Sequence, residues 1–361
     1  MIHDLQRVLG TAIARDDPQP ASSRLASGSV TVADALEDRD RRREVTTRPA
    51  AEVKMNMQPT WRGRAAIKPL AGALAAFLGA GAVSAEDLPY TRHSVEAPDG
   101  VTLAVQEWGD PDGPAILFVH GFAASHLVWR KQVIDPELAE DFRMITFDTR
   151  GSGMSEKPTD PEFYHDGERH ANDIAAIIDE LELDRPVLVA WSSGGLVVGD
   201  YISQHGDGAI GGLVFAGGIF VRDPDLYGPA TAELPSMASP DLATNVAATM
   251  RFVAAQFERD PGGAAEHELL ATMMMTPPDV RGALLERPAI SADAWVDVNV
   301  PVRIIHGEED RVIRPAMAEE GRRLIPQARL TLREGIGHAP FLEDSETFNR
   351  DLADFIHGVN G

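Results

Sequence analysis

A mostly parallel β-sheet covered by helices on both faces is the architecture predicted by this sequence, and three observations point to it. From Tyr90 onward, short β-type runs alternate with helical patterns, the order that builds parallel sheets. Several of these runs, Ala115 to Val119 and Pro186 to Ala190 among them, are apolar almost throughout, as strands covered on both faces must be. The chain has 361 residues, 43% hydrophobic and 25% charged, which suits one large domain with an embedded subdomain or two modest domains. A formal net charge of -23 opposes nucleic acids and anionic membranes as partners, because both are polyanions. It favours neutral or cationic substrates over phosphorylated ones. With no cysteine anywhere, thiol catalysis, disulfides and thiolate metal sites are excluded, while the compartment stays undetermined.

Residues 1–57 mix charges of both signs with Pro, Ser, Thr and Ala and hold no sustained apolar period, so they read as a disordered extension. They read equally as residues upstream of a true start at Met55 or Met57. Residues 58–85 have the three parts of a secretory signal peptide. Trp61, Arg62, Arg64 and Lys68 form a basic head, Leu70 to Val83 an apolar stretch, and Val83-Ser84-Ala85 a small-residue end. Cleavage near Ala85 and a periplasmic or secreted protein are the expectation. The apolar part falls short of the ~20 residues that cross a bilayer, so no stable membrane anchor is expected. A buried amphipathic helix is the alternative, but Leu70 to Val83 offers no polar face. The leader carries twelve basic and nine acidic residues, so its loss would take the charge from -23 to -26.

The catalytic domain is expected over residues 86–361. Val101 to Glu107 alternates like an early strand, and the turn Gly109-Asp110-Pro111-Asp112-Gly113 leads into the buried strand Ala115 to Val119. His120-Gly121-Phe122-Ala123 follows directly. Met144 to Phe147 is another buried strand, ending in the loop Asp148-Thr149-Arg150-Gly151-Ser152-Gly153. Asp166 to Leu183 carries Ile174, Ile177, Ile178 and Leu181 at helical spacing. Pro186 to Ala190 is a third central strand, Leu196 to Ser203 a helix, and Leu213 to Phe215 a further strand. Between about 218 and 299 the sheet pattern lapses, with helical runs at Leu242 to Phe257 and Ala264 to Met273. Val302 to His306 and Leu330 to Leu332 are late strands, and a terminal helix spans Asp344 to Ile356.

Between the third strand and its helix lies Ala190-Trp191-Ser192-Ser193-Gly194, the small-x-Ser-x-Gly pattern of a nucleophile elbow with alanine in place of the usual first glycine. The serine of such an elbow occupies a tight turn, and the residues two positions away must be small for strand and helix to approach. Ser193 as nucleophile would put the small residues at the wrong spacing. Serine is a weak nucleophile at its own pKa and needs an imidazole to take its proton and a carboxylate to orient that imidazole. The order Ser, Asp, His is met by Ser192, by an acid after Val302 to His306, and by His338 after the last strand. Glu308 and Glu309 stand beside Asp310, and Asp223 or Asp225 after the strand at Leu213 is a second location. His165, His170, His205 and His267 lie in polar contexts and are expected to face solvent. The backbone N–H of Ser193 is the expected oxyanion donor. Neither cofactor nor metal is called for.

His120-Gly121-Phe122, the Asp148 to Gly153 loop, the serine elbow, His306-Gly307-Glu308-Glu309-Asp310 and Gly337-His338 occur together in one order. In this the chain resembles the α/β-hydrolase superfamily from about residue 90 to its C-terminus, within the serine esterase, cofactor-free haloperoxidase and carbon-carbon hydrolase branches. The resemblance implies that Asp310 is the acid, since the family pattern is glycine, two residues, aspartate. It also implies that the Phe122 amide is the second oxyanion donor, and that residues 218–299 form a helical cap before the late strands. His120, Asp148 and Arg150 then hold loops. Trp191 and Met274 are candidate substrate-pocket residues, although Met273-Met274-Met275 suits plain cap core equally well. The expected activity is cleavage of a small, neutral, apolar carboxylic ester through an acyl-enzyme. Lactone opening, perhydrolysis or haloperoxidase-like chemistry and carbon-carbon cleavage are alternatives on the same residues. Perhydrolase-like members usually carry proline where Ala123 stands, and dehalogenases and epoxide hydrolases of this fold use an aspartate nucleophile. A non-catalytic binding protein of the same fold is the alternative of another class. Oligomeric state is left open.

Overall fold

A computed structural model describes residues 90–360 apart from 263 and 289–291; the expected extension (1–57) and signal peptide (58–85) lie outside the described residues. Eight strands form one sheet. They are β1 (Thr91–Glu96), β2 (Thr102–Gly109), β3 (Ala115–Val119), β4 (Arg143–Phe147), β5 (Val187–Trp191), β6 (Gly212–Ala216), β7 (Val302–Gly307) and β8 (Arg329–Arg333). Their spatial order is β1-β2-β4-β3-β5-β6-β7-β8. The β1–β2 and β2–β4 pairs are antiparallel and every later pair is parallel. Every residue of β3, β5 and β6 is buried, which explains their unbroken apolar sequences. β1 is the strand missing from the sequence reading: TRHSVE is polar, and Val95 alone among its residues is buried. It exists by pairing with β2 at the sheet edge, with Val95 opposite Leu103.

Helices flank the sheet, the longest being α1 (Gly167–Glu180), α2 (Gly194–His205), α3 (Leu242–Ala254), α4 (Ala265–Met274), α5 (Pro278–Glu286), α6 (Pro315–Leu324) and α7 (Ser345–Asn360). The Asp166 carboxylate caps α1 by accepting from the Glu168 N–H, and Ile174, Ile177 and Ile178 are its buried stripe. α2 stops where Gly206 takes φ 69, a left-handed conformation suited to glycine. A separate short helix, Pro340–Glu343, precedes α7 where the sequence suggested one helix from Asp344. α3 ends three residues short of the expected Phe257, because the Gln256 carbonyl turns away to receive the His338 N–H at 2.8 Å.

α3, α4 and α5 occupy the insertion between β6 and β7. A fully buried arginine binds them together. Arg281 of α5 donates to the carbonyls of Met237 and Met273, to Asn245 Oδ1 at 2.9 Å and to Thr249 Oγ1 at 3.1 Å. No carboxylate among the described residues takes part, and burial pulls the guanidinium pKa down to about 10.

Arg150, just beyond β4, ties the first half of the domain together. It is fully buried and grips Asp173 of α1 bidentately, at 2.8 and 2.6 Å. Its other nitrogen reaches Asp99, in the turn between β1 and β2, at 2.7 Å. Burial disfavours the cation, but Asp173 and Asp99 more than offset it and hold the proton tighter than usual. Arg150→Met should therefore leave Asp173 buried without a partner and cost about 3–5 kcal/mol in urea unfolding. A loss below about 1 kcal/mol would mean that the pair is not the tie described.

Candidate active site

The edge of the sheet where β3, β5, β7 and β8 end gathers the residues singled out from sequence. Between β5 and α2 the chain reverses in two residues, and Ser192 takes φ 55. The left-handed region costs a non-glycine residue about 1–2 kcal/mol, so its surroundings must enforce it. The Ser192 N–H donates to the Ala216 carbonyl at 3.2 Å, and the Ser192 carbonyl accepts from Gly195 at 3.0 Å and Ile219 at 3.1 Å. Close approach does the rest. A Cβ on Gly194 would lie 2.6 Å from the Val119 carbonyl oxygen, and one on Gly195 2.5 Å from that of Ile219. Gly121 presses from the other side, with room for no side chain 3.0 Å from Ser192 Cβ. Of these contacts, the sequence singled out Gly194 by its spacing; Gly195 was visible as the second glycine of the pair.

His338 and Asp310 are brought together although 28 residues separate them. His338 Nδ1 donates to Asp310 Oδ2 at 2.7 Å, and both side chains are buried. Because the carboxylate claims the Nδ1 proton, Nε2 carries the lone pair. Nε2 is itself buried and has no hydrogen-bond partner among the described residues. The His338 backbone is held at both ends: its N–H donates to Gln256, and its carbonyl accepts from the Trp191 indole at 3.0 Å. Gly217, next to the Ala216 that holds Ser192, packs so close that a Cβ there would be 3.1 Å from His338 Nδ1. Ser192 and His338 thus flank the same two residues, Ala216 and Gly217. No hydrogen bond joins Ser192 Oγ to His338 Nε2 among the described residues.

Asp310 is fully committed. Its Oδ1 accepts from the Val312 and Ile313 amides at 2.8 and 2.9 Å, and Oδ2 faces His306 Nε2 at 3.1 Å as well as His338. Burial pushes its pKa up, but the two imidazoles and these hydrogen bonds prevail and hold it well below the ordinary carboxylate range. The neighbouring acids have other duties: Glu308 is exposed and Glu309 accepts from the Ile336 amide at 3.1 Å. Asp223 and Asp225 face solvent, Asp223 capping a short turn.

Among the described residues the amides of Phe122 and Ser193, like those of Gly121 and Ala123, show no hydrogen bond to a protein acceptor. Their loops are firmly built. His120 Nδ1 donates to the Gly121 carbonyl at 2.8 Å while its Nε2 accepts from the Thr149 N–H at 3.0 Å, so both ring nitrogens are used by the neutral form. Burial lowers its pKa and keeps it neutral. Asp148 accepts from the His126 amide at 2.7 Å, the His126 ring at 2.9 Å and the Met154 amide at 2.7 Å. Together with Arg150, these are the loop-holding roles implied for His120, Asp148 and Arg150. Ala123 has φ 55, and its carbonyl accepts from Thr276 Oγ1 of the insertion at 3.1 Å.

The pocket candidates are less centrally placed. Trp191 is 1% exposed, its ring 5.5 Å from that of His338 and 5.3 Å from that of Phe341, so it braces the histidine from within the core. Met274 is half-buried with its sulfur 3.7 Å from Arg281 Nη2; Met273 is core and Met275 exposed. His170 departs from its expected exposure. It is buried on α1, bonded to the Tyr164 carbonyl at 3.1 Å, and burial with the nearby Arg287 and Arg150 charges depresses its pKa strongly. Its place among Ile174 and Ile178 on one helical stripe was the available sequence signal. Among the described residues no group of three or more His, Asp or Glu could hold a metal ion, and no helix is long and apolar enough to cross a membrane.

This fold and this edge of the sheet define a class. The chain belongs to the alpha/beta hydrolase family, whose model matches residues 116–351, more than half of its length. It is 28% identical over 283 residues to a bifunctional esterase/perhydrolase of Acinetobacter calcoaceticus, covering 73% of this chain and 98% of that protein. Among solved structures it is similar to a "putative aryl esterase" from Burkholderia cenocepacia, with TM-score 0.72 and 38% identity over 74% of this chain and 99% of that one. It is also similar to the esterase RhEst1 from Rhodococcus sp. ECU1013, with TM-score 0.70 and 30% identity over 75% of this chain and all of that one.

The geometry of Asp310 dictates a pH dependence. Its native pKa lies below that of an aspartate in the unfolded chain, so the unfolded state binds more protons as the medium acidifies. The stabilisation is complete above the unfolded value of about 3.9 and is lost as pH falls toward the native one. Asp310→Asn should accordingly flatten the loss of melting temperature between about pH 5 and about pH 3, relative to the parent chain. Parallel melting curves would show that the Asp310 carboxylate is not held in its charged form.

Proposed function

We propose that this chain is a serine hydrolase that cleaves small, neutral, apolar carboxylic esters through an acyl-enzyme. The observation that supports the reading is a buried His338–Asp310 pair packed on Gly217, the residue after the Ala216 that holds the elbow Ser192. The missing Ser192–His338 hydrogen bond is compatible with this role, because such contacts are often long before substrate binds and tighten afterwards. Ser192 Oγ attacks the carbonyl carbon as its proton passes to Nε2, and Asp310 stabilises the imidazolium through Nδ1. The carbonyl oxygen, now negative, faces the unpaired amides of Phe122 and Ser193 at the start of α2, where the helix dipole adds to the attraction. Nε2 then protonates the departing alkoxide as the ester C–O bond breaks. Water enters, gives its proton to Nε2 and attacks the acyl carbon, and Ser192 leaves with that proton.

Lactone opening uses the same steps with both products still joined. Perhydrolysis is less well supported, since proline fixes φ near −65° and is incompatible with the φ 55 of Ala123. Carbon-carbon cleavage has no observation in its favour. A non-catalytic scaffold has no need of a serine held at a strained φ of 55. Export through the leader ending at Ala85 completes the proposal, placing the activity in the periplasm or medium; mass spectrometry of the mature N-terminus should find Glu86, and an unprocessed leader would refute it.

A fluorophosphonate probe should label the parent chain and not Ser192→Ala. The same substitution should lower hydrolysis of p-nitrophenyl esters by about 10⁴-fold or more. Equal labelling of the two proteins would overturn the assignment.

A further inference from the structure

We propose that His306 is a second histidine of the active site, a positioning residue whose Nε2–H binds the same carboxylate oxygen that holds His338 and thereby sets how basic His338 is. The proposal rests on the reading of Ser192, His338 and Asp310 as nucleophile, base and acid. His306 lies near the end of β7, fully buried, four residues before Asp310. Its Nε2 is 3.1 Å from Asp310 Oδ2 and 2.9 Å from the Ile313 carbonyl oxygen. Both are acceptors, so Nε2 must carry the proton, hydrogen-bonded to the Ile313 carbonyl with the carboxylate oxygen close by. Nδ1 is buried without a partner among the described residues, which suits the neutral ring: a bare lone pair is tolerated there better than a buried, unpaired N–H.

Two consequences follow for Asp310. The amides of Val312 and Ile313 donate to Oδ1, His338 donates to Oδ2, and His306 Nε2 lies 3.1 Å from that same Oδ2. These contacts assign Oδ1 to the amides and Oδ2 to His338. The second imidazole also competes for the charge on that oxygen. Each donor on an acceptor weakens what the acceptor offers to the next, so the imidazolium of His338 is stabilised less than by a carboxylate that served it alone.

No other ionisable side chain faces this pair from the elements packed against it, among the described residues. β6 contributes Ala216 and Gly217, and β8 sets Leu332 opposite His306. Arg333, next along β8, is engaged with Asp344 and Asp351. α6 buries Met317 and Ala318 and keeps its Glu319–Arg322 and Glu320–Arg323 pairs exposed. On the loop itself, Glu309 is bonded to Ile336, and Arg311 turns to the Phe257 carbonyl and Glu258. Gln256, from the insertion, is uncharged.

The test compares the full chain with His306→Leu, which lacks a donor, and His306→Gln, whose side-chain nitrogen can take the place of Nε2. The rate of fluorophosphonate labelling of Ser192 is followed against pH, with thermal melting alongside. Loss of the donor should move the acid limb of the rate profile up by about half a unit to one unit, and His306→Gln should restore it. An acid limb within about 0.2 unit of the parent in His306→Leu, with or without a fall in melting temperature, would overturn the proposal and make His306 a packing residue. If His306→Leu does not fold, the low-field proton resonance of His338 Nδ1–H in His306→Gln and the parent decides: a shared position supports the donor role, and its displacement or loss refutes it. Labelling of Ser192→Ala as fast as the parent is a separate failure, that of the triad itself.

Discussion

His338 and Asp310 meet across a 2.7 Å hydrogen bond that no local segment of chain could make. It forms because β7 and β8 are parallel neighbours in register, Gly307 opposite Arg333, so that the loops leaving them emerge side by side. Even there the approach is extreme, for any Cβ on Gly307 would lie 2.1 Å from the carbonyl oxygens of Ile336 and Gly337. Sheet register, a glycine and a buried carboxylate thus act as one constraint, and the tautomer of His338 follows from it.

Ser192 is held in a turn that opposes its own backbone preference. The strain is sustained because neighbouring strands leave no alternative: β3 and β6 close on either side, and glycines at 121, 194 and 195 permit the contact. A site built on strand ends keeps its geometry when loops move, which matters for chemistry that depends on distances of a few ångströms.

The insertion between β6 and β7 does more than cover the sheet edge. Its Gln256 carbonyl fixes the His338 amide, its Phe257 carbonyl takes Arg311, and Thr276 grips Ala123 beside the free Phe122 amide. Glu343 adds a clip, accepting from the amides of Glu258 and Arg259 at 2.8 Å and from Gly337 at 2.9 Å. The insertion is therefore tied by hydrogen bonds to the His338 backbone and to the loop that follows β3.

The sequence by itself determined the fold class, the elbow at Ser192 and the order of serine, acid and histidine, because steric and periodic demands are local. Unbroken apolar strands, a serine between small residues and glycine-rich loops each declare themselves over five to ten residues of chain. Spacing by itself left Glu308, Glu309 and Asp310 open; the resemblance to the family selected Asp310, and tertiary structure set it against His338, since that is a matter of direction rather than composition. It alone made an edge strand of the polar β1, buried His170, and turned Trp191 from the pocket side into a brace for His338. It also set His306 against Asp310, a contact hidden in sequence because a histidine ending an apolar strand has no pattern that names its partner. The physical reason is the same throughout: burial and strand register sum contributions from segments distant in sequence, and no local window contains them.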